Sequence, residues 1–163
     1  MYQSALLALG LVYLILAMLF RSYVQPIVVL MTIPLAYIGV VWGMNALGRD
    51  ISLFGLVGIV GLIGIVVNDS LVWVDCYNHL KEGSEGEKLS AQAAAVQAVK
   101  LRFRPIMLTT LTTVAGLSPV ALSESAGIAG SMASTIVCGL VASSVMLLLF
   151  LPICVVIIED VSR

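Results

Sequence analysis

Charge is scarce in this chain: only 10% of its 163 residues are Asp, Glu, Lys or Arg, and the net charge is -1. No basic run exists of the kind that tracks a phosphate backbone, which excludes nucleic acid as a partner. Histidine occurs once, as His79, and the three cysteines, Cys76, Cys138 and Cys154, form no CxxC pair. A metal site and a redox couple therefore both lack their side chains, no cofactor is called for, and the cysteines read as small core residues. The first 20 residues hold no basic stretch and no small-residue cleavage site, so they read as a span and not as a signal peptide. What the chain has in abundance is apolar surface, at 61% hydrophobic residues and a mean hydropathy of +1.13. A single small core cannot hide that much, and the solvent it requires is lipid.

The few charges divide the chain. None falls within 1–20, 22–48, 105–123 or 125–158, and within 51–74 only Asp69 interrupts. An all-α membrane protein follows, with five transmembrane spans expected near 3–20, 26–47, 53–75, 105–122 and 130–158. Residues 88–104 read as a sixth, cytoplasmic interfacial helix, with Leu89, Ala93, Val96, Val99 and Phe103 broadly on one side. Pro105 is expected to open the fourth span, and Gly48, Arg49, Asp50 and Ile51 to form a short outer turn. Alternating sides gathers Arg21, Lys81, Lys88, Lys100, Arg102, Arg104 and Arg163 on one face of the membrane and leaves Arg49 on the other. The positive-inside rule then puts the C-terminus in the cytoplasm and the N-terminus outside. An external N-terminus without a signal sequence reads as a piece of a longer chain.

Asp69 is the residue to explain. Placing an Asp at the centre of a bilayer costs about 2.5–3.5 kcal/mol, so such residues face a bundle interior or a wet cavity and mark a route for ions or protons. Its neighbour is Asn68, and glycines stand at 55, 58, 61 and 64. At about 100° per residue, Gly61, Gly64, Asn68 and Asp75 share a face, with Asp69 beside it. That face is expected to pack closely against another helix, as is the GxxxG of Gly39 and Gly43 in the second span. Asp75 and His79 fall at the cytoplasmic interface.

The fourth span carries Thr109, Thr112, Thr113 and Gly116 on one face by their spacing. Their hydroxyls can serve a carboxylate or water on a neighbouring helix, or can bond back to their own helix carbonyls. Both alternatives are open at this point.

The runs GIVVNDSLVWVD at 64–75 and LRFRPIMLTTLTTVAGLSPVAL at 101–122, and the FRSYVQP turn at 20–26, resemble the C-terminal membrane region of an RND (resistance-nodulation-division) efflux transporter. The resemblance covers essentially the whole chain. It implies that the complete protein is a proton-driven exporter of drugs or other amphiphiles in the bacterial inner membrane, using protons and no cofactor. It further implies a missing N-terminal half, extracytoplasmic domains, a homotrimer, a periplasmic adaptor and an outer-membrane channel. By motif, Asn68 stands where many members carry a relay lysine, Thr109 matches a relay threonine and Arg102 a functional arginine. Asp69, Asn68, Thr109, Thr113 and Arg102 are thus the relay candidates, and no residue is expected to be catalytic. The missing lysine is a departure, since Asn holds no proton charge; Asp69 or a carboxylate of the missing half then carries the proton.

Other readings differ in class. An RND relative could export lipids or assist protein export, which the absent outer domains would decide. A non-transporting scaffold would pair through its glycine faces. An intramembrane aspartyl protease would need Asp69 and Asp75 as a dyad, yet they lie about 240° apart on one helix.

Overall fold

In the computed structural model, residues 2–20, 25–82, 90–123 and 126–161 are described. They form five helices and no strand: α1 Tyr2–Phe20, α2 Gln25–Ala46, α3 Leu53–Glu82, α4 Ala91–Leu122 and α5 Gly127–Val161. Four of them, α2 to α5, have both the length and the hydropathy to cross a membrane. Five spans were expected. The fifth, α1, is uncharged, and its 19 residues lie within the range of about 17–25 that a span needs.

Helix ends follow from local chemistry. Ser52 caps α3, its hydroxyl accepting from the Gly55 N–H at 3.1 Å and its carbonyl from Leu56 N–H at 3.1 Å, as an N-cap serine does. Ser90 caps α4 in the same way through Ala93 N–H. At the end of α2, Gly48 takes φ 63°, and Arg49 N–H reaches back to Met44 O at 3.1 Å. This left-handed stop satisfies carbonyls that the helix itself cannot. It makes the expected outer turn.

One expectation fails at α4. An interfacial helix over 88–104 and a separate span from Pro105 were anticipated, but a single helix runs from Ala91 to Leu122 with Pro105 and Pro119 inside it; residues 88 and 89 lie outside the described set. An interior proline removes one N–H and crowds one turn, and packing against neighbouring helices can carry the backbone past it. Here Ile106, next to Pro105, is buried in the core and holds that turn down. The packed face of the cytoplasmic segment is also different. Ala94, Ala95 and Ala98 are buried, whereas Val96 and Phe103 point outward.

α5 is the centre of the bundle and packs on α2, α3 and α4, while α1 lies against α2. The approach is close where side chains are small. A Cβ on Gly39 would overlap that of Ala142, one on Gly43 would overlap Cys138, and one on Gly139 would run into Leu62 and Val40. On α3 the tight positions are Gly55 and Gly58, the latter 2.9 Å from Met132 O by the same construction. Gly64 has nothing within 4 Å and Gly61 only Ile136 at 3.9 Å. The face of Gly61, Gly64, Asn68 and Asp75 is exposed, so it is turned out of this bundle.

Two apolar clusters result. The outer one joins Ala36, Val40, Met44, Ile59, Leu62, Val66 and Leu140. The one at the opposite end of the bundle centres on Trp73 and Tyr77, whose rings stack with centroids 5.8 Å apart and 6° between planes.

Candidate functional site in the seam between α3 and α4

α3 descends and α4 returns antiparallel to it, and their seam holds a cleft of about 190 Å³ lined by Asn68, Asp69 and Val72 from α3 and Arg102, Pro105, Ile106 and Thr109 from α4. Four of the five relay candidates therefore meet at one place. Thr113, the next turn along α4, is half-buried and does not line the cleft. The register explains the meeting: on antiparallel helices, residues one turn apart on each partner, 69 and 72 against 106 and 102, pair in reverse order.

Asp69 is half-buried and makes neither a hydrogen bond nor an ion pair with any described residue. Arg102 shares its cleft without pairing with it, and the guanidinium Nε is buried with no partner among the described residues. The indole Nε1 of Trp73, one turn below Asp69, is in the same condition. Two orphaned buried donors are unusual, because each such group costs about 1–3 kcal/mol if nothing answers it.

The threonines divide between the two alternatives. Thr109 donates to Ile106 O at 2.9 Å, and Thr112 to Leu108 O at 2.8 Å and Thr109 O at 3.0 Å. Both hydroxyls thus return to their own helix, and both residues are exposed. Thr110, which falls off the face shared by Thr109, Thr112 and Thr113, is the one that joins helices. It is buried, bonds Ile106 O at 2.9 Å and meets the Ser144 hydroxyl at 2.7 Å. The Ser143-Ser144 pair inside an otherwise apolar run was the available signal. A second buried hydroxyl pair, Ser70 donating to Thr32 at 3.2 Å, ties α3 to α2.

Asp75 is exposed and lies 3.9 Å from the His79 imidazole across one turn, well away from the cleft. The larger apolar groove of about 890 Å³ between α2, α4 and α5 carries only one charged side chain, Arg49, at its outer end. That guanidinium donates to Ala121 O at 2.7 Å and to Ser134 Oγ at 3.0 Å. Arg49 therefore ties the α2–α3 turn to both α4 and α5. Among the described residues, no group of three or more His, Cys, Asp or Glu side chains is placed to hold a metal ion.

The profile of the AcrB/AcrD/AcrF family matches residues 3–159. The chain belongs to that family. Among the described residues four helices are long and apolar enough to cross a membrane, as a multi-pass membrane segment requires. Among its relatives, multidrug resistance protein MdtC of Cronobacter sakazakii is 38% identical over 150 residues, covering 91% of this chain and 14% of that protein. Swarming motility protein SwrC of Bacillus subtilis is 34% identical over 153 residues, covering 92% and 14%. A crystal structure of a heavy metal efflux pump superposes with a TM-score of 0.82 at 26% identity, over 94% of this chain and 15% of that one. The chain thus spans about one-seventh of the length of these family members.

Proposed function

We propose that this chain is the C-terminal membrane portion of a proton-driven exporter of drugs or other amphiphilic compounds, and that Asp69 is its titrating group. The observation that carries the reading is the meeting of Asp69, Asn68, Arg102 and Thr109 at one cleft within an otherwise apolar seam. A carboxyl group there can exchange between a neutral form that tolerates apolar packing and a charged form that draws in water. Asn68 supplies a fixed dipole where many relatives have a lysine, so the mobile charge belongs to Asp69. Arg102 provides positive potential close to the carboxylate without neutralising it in an ion pair. Thr109 offers its hydroxyl from the opposite wall of the same cleft, and Thr113 continues the line outward.

The exposed stripe of Gly61, Gly64 and Asn68 is where the missing N-terminal half docks in the complete protein. That docking closes the cleft against lipid and makes the proton route continuous. The whole pump is a homotrimer with extracytoplasmic substrate domains, a periplasmic adaptor and an outer-membrane channel, and this segment enters from outside and ends in the cytoplasm. The deciding experiment uses the full-length transporter in lipid. Infrared difference spectra between high and low pH should contain a carboxyl band that Asp69→Asn removes, and the same variant should lose proton-coupled export. Retention of both band and export by Asp69→Asn would transfer the proton to another carboxylate.

A further inference from the structure

The apolar groove between α2, α4 and α5 ends at a charge. Its volume of about 890 Å³ lies in the range of small-ligand pockets, about 300–1,000 Å³. Small residues make its floor, where Gly39 meets Ala142 and Gly43 meets Cys138. Its rim is apolar and open, with Trp42 76% and Leu122 71% exposed. A second cavity of about 430 Å³ is polar. Its walls include Arg49 and Asp50 of the α2–α3 turn, Ser123 at the end of α4 and Ser131 near the start of α5. Arg49 lines both cavities, so a molecule that filled the two would pass its guanidinium. The turn joins two helices that are each long and apolar enough to cross a membrane, which sets the polar cavity at head-group level and runs the groove into the hydrocarbon.

The charges at this end are opposite and do not cancel in a pair. Both hydrogen bonds that Arg49 makes leave from Nη1, and it forms no ion pair with any described carboxylate, its neighbour Asp50 included. A complementary molecule carries an anion and a cation close together on a polar end and an apolar chain behind them. We infer that the groove and the cavity together bind one phospholipid whose head group bears a primary ammonium beside its phosphate. The phosphate lies on the Arg49 guanidinium, whose planar N–H fork suits phosphate oxygens. The ammonium donates to the Asp50 carboxylate, and one acyl chain lies along the groove. Inorganic phosphate would leave the groove and Asp50 unused, and a lipid with only negative charge in its head group would set that charge against Asp50.

Trp42 on the rim supplies the probe. The full-length transporter is placed in phosphatidylcholine nanodiscs that contain rising fractions of phosphatidylethanolamine or phosphatidylglycerol with brominated acyl chains. Quenching of Trp42 is read as the difference between the parent and Trp42→Phe. Half-quenching should need about fivefold less brominated phosphatidylethanolamine than brominated phosphatidylglycerol or phosphatidylcholine, the scale of an ion pair at an exposed rim. Asp50→Asn, a change of charge at an exposed turn residue, should abolish the preference over phosphatidylglycerol. Val141→Phe, which puts bulk into the groove, should bring all three lipids to one half-quenching fraction. Equal fractions in the parent would mean ordinary solvation by the bilayer and would overturn the inference. So would a preference for phosphatidylglycerol, which leaves Asp50 without a role, or a preference for phosphatidylethanolamine that Asp50→Asn leaves intact. Absence of quenching by any lipid would mean that another part of the full-length chain covers the groove, and the site would fall. None of these readings uses proton flux, so the inference stands or falls apart from the role proposed for Asp69.

Discussion

Thr109 and Thr110 are adjacent and chemically identical, yet they have different surroundings. The Thr109 hydroxyl serves its own helix from an exposed position at the cleft, while Thr110 is buried and bonded to Ser144 on α5. Thr110→Ala should therefore cost about 0.6–1.7 kcal/mol, the range for hydroxyl bonds between membrane helices, and thermal unfolding in detergent will show it. Thr109→Ala should leave the unfolding curve within about 0.5 kcal/mol of the parent while reducing export, because its place is at the Asp69 cleft, the proposed proton site, and not in the packing. The opposite pattern, stability lost at 109 and transport lost at 110, would exchange their roles. Asp69→Asn belongs to the same scale: it keeps size and removes the titration, so its effect on export isolates the charge.

Helix contact in this bundle depends on missing side chains. α2 and α5 touch where Gly39 faces Ala142 and Gly43 faces Cys138, and without a hydrophobic force between helices in lipid such close packing is a main source of association. Gly39→Ala should force the helices apart and cost about 1–3 kcal/mol, as overpacking does. Adding Ala142→Gly should recover most of that loss by restoring the room from the other side. A double-mutant cycle on unfolding free energy checks the pair, and simple additivity would mean that the two positions do not meet. At Pro105, α4 continues as a helix because the neighbouring turn is anchored in the core by Ile106. A continuous α4 also carries both the face of Ala94, Ala95 and Ala98 and one wall of the Asp69 cleft on a single element.

For the molecule as a whole, the distribution of charge is the ground for the proposed direction in the membrane. With the Arg49 turn outside and Asp75 to Lys81 inside, a cysteine at Asp50 should react with a membrane-impermeant maleimide in intact cells. One at His79 should react only after permeabilisation, in a background where Cys76, Cys138 and Cys154 are replaced; reversed labelling would invert the topology. Arg49 does more than orient. It bonds α4 and α5 from the α2–α3 turn, and hydrogen bonds to a charged group contribute about 1.5–3 kcal/mol. Arg49→Ala should accordingly speed hydrogen exchange at residues 47–52 and 120–123 and leave the cluster around Trp73 and Tyr77 unchanged.

Much of this was legible before any tertiary structure. Sparse charge and long apolar runs determine a helical membrane bundle by themselves, because lipid leaves every backbone polar group to be satisfied within the helix. An acid inside such a run stands out because of its cost, and local capping residues such as Ser52 and Gly48 set the ends. The sequence pattern could not say which face of a helix meets which neighbour. All the helices are apolar on every side, so periodicity gives no inside and outside. Only packing decided that Gly39 and Gly58 are closed while Gly61 and Gly64 are open, and that Thr110, not Thr109, bridges two helices. The same cause hid the continuity of α4, since a proline is tolerated or not according to what holds the turn beside it. It also hid Trp73, which reads as one more apolar residue until the fold buries its N–H without a partner among the described residues.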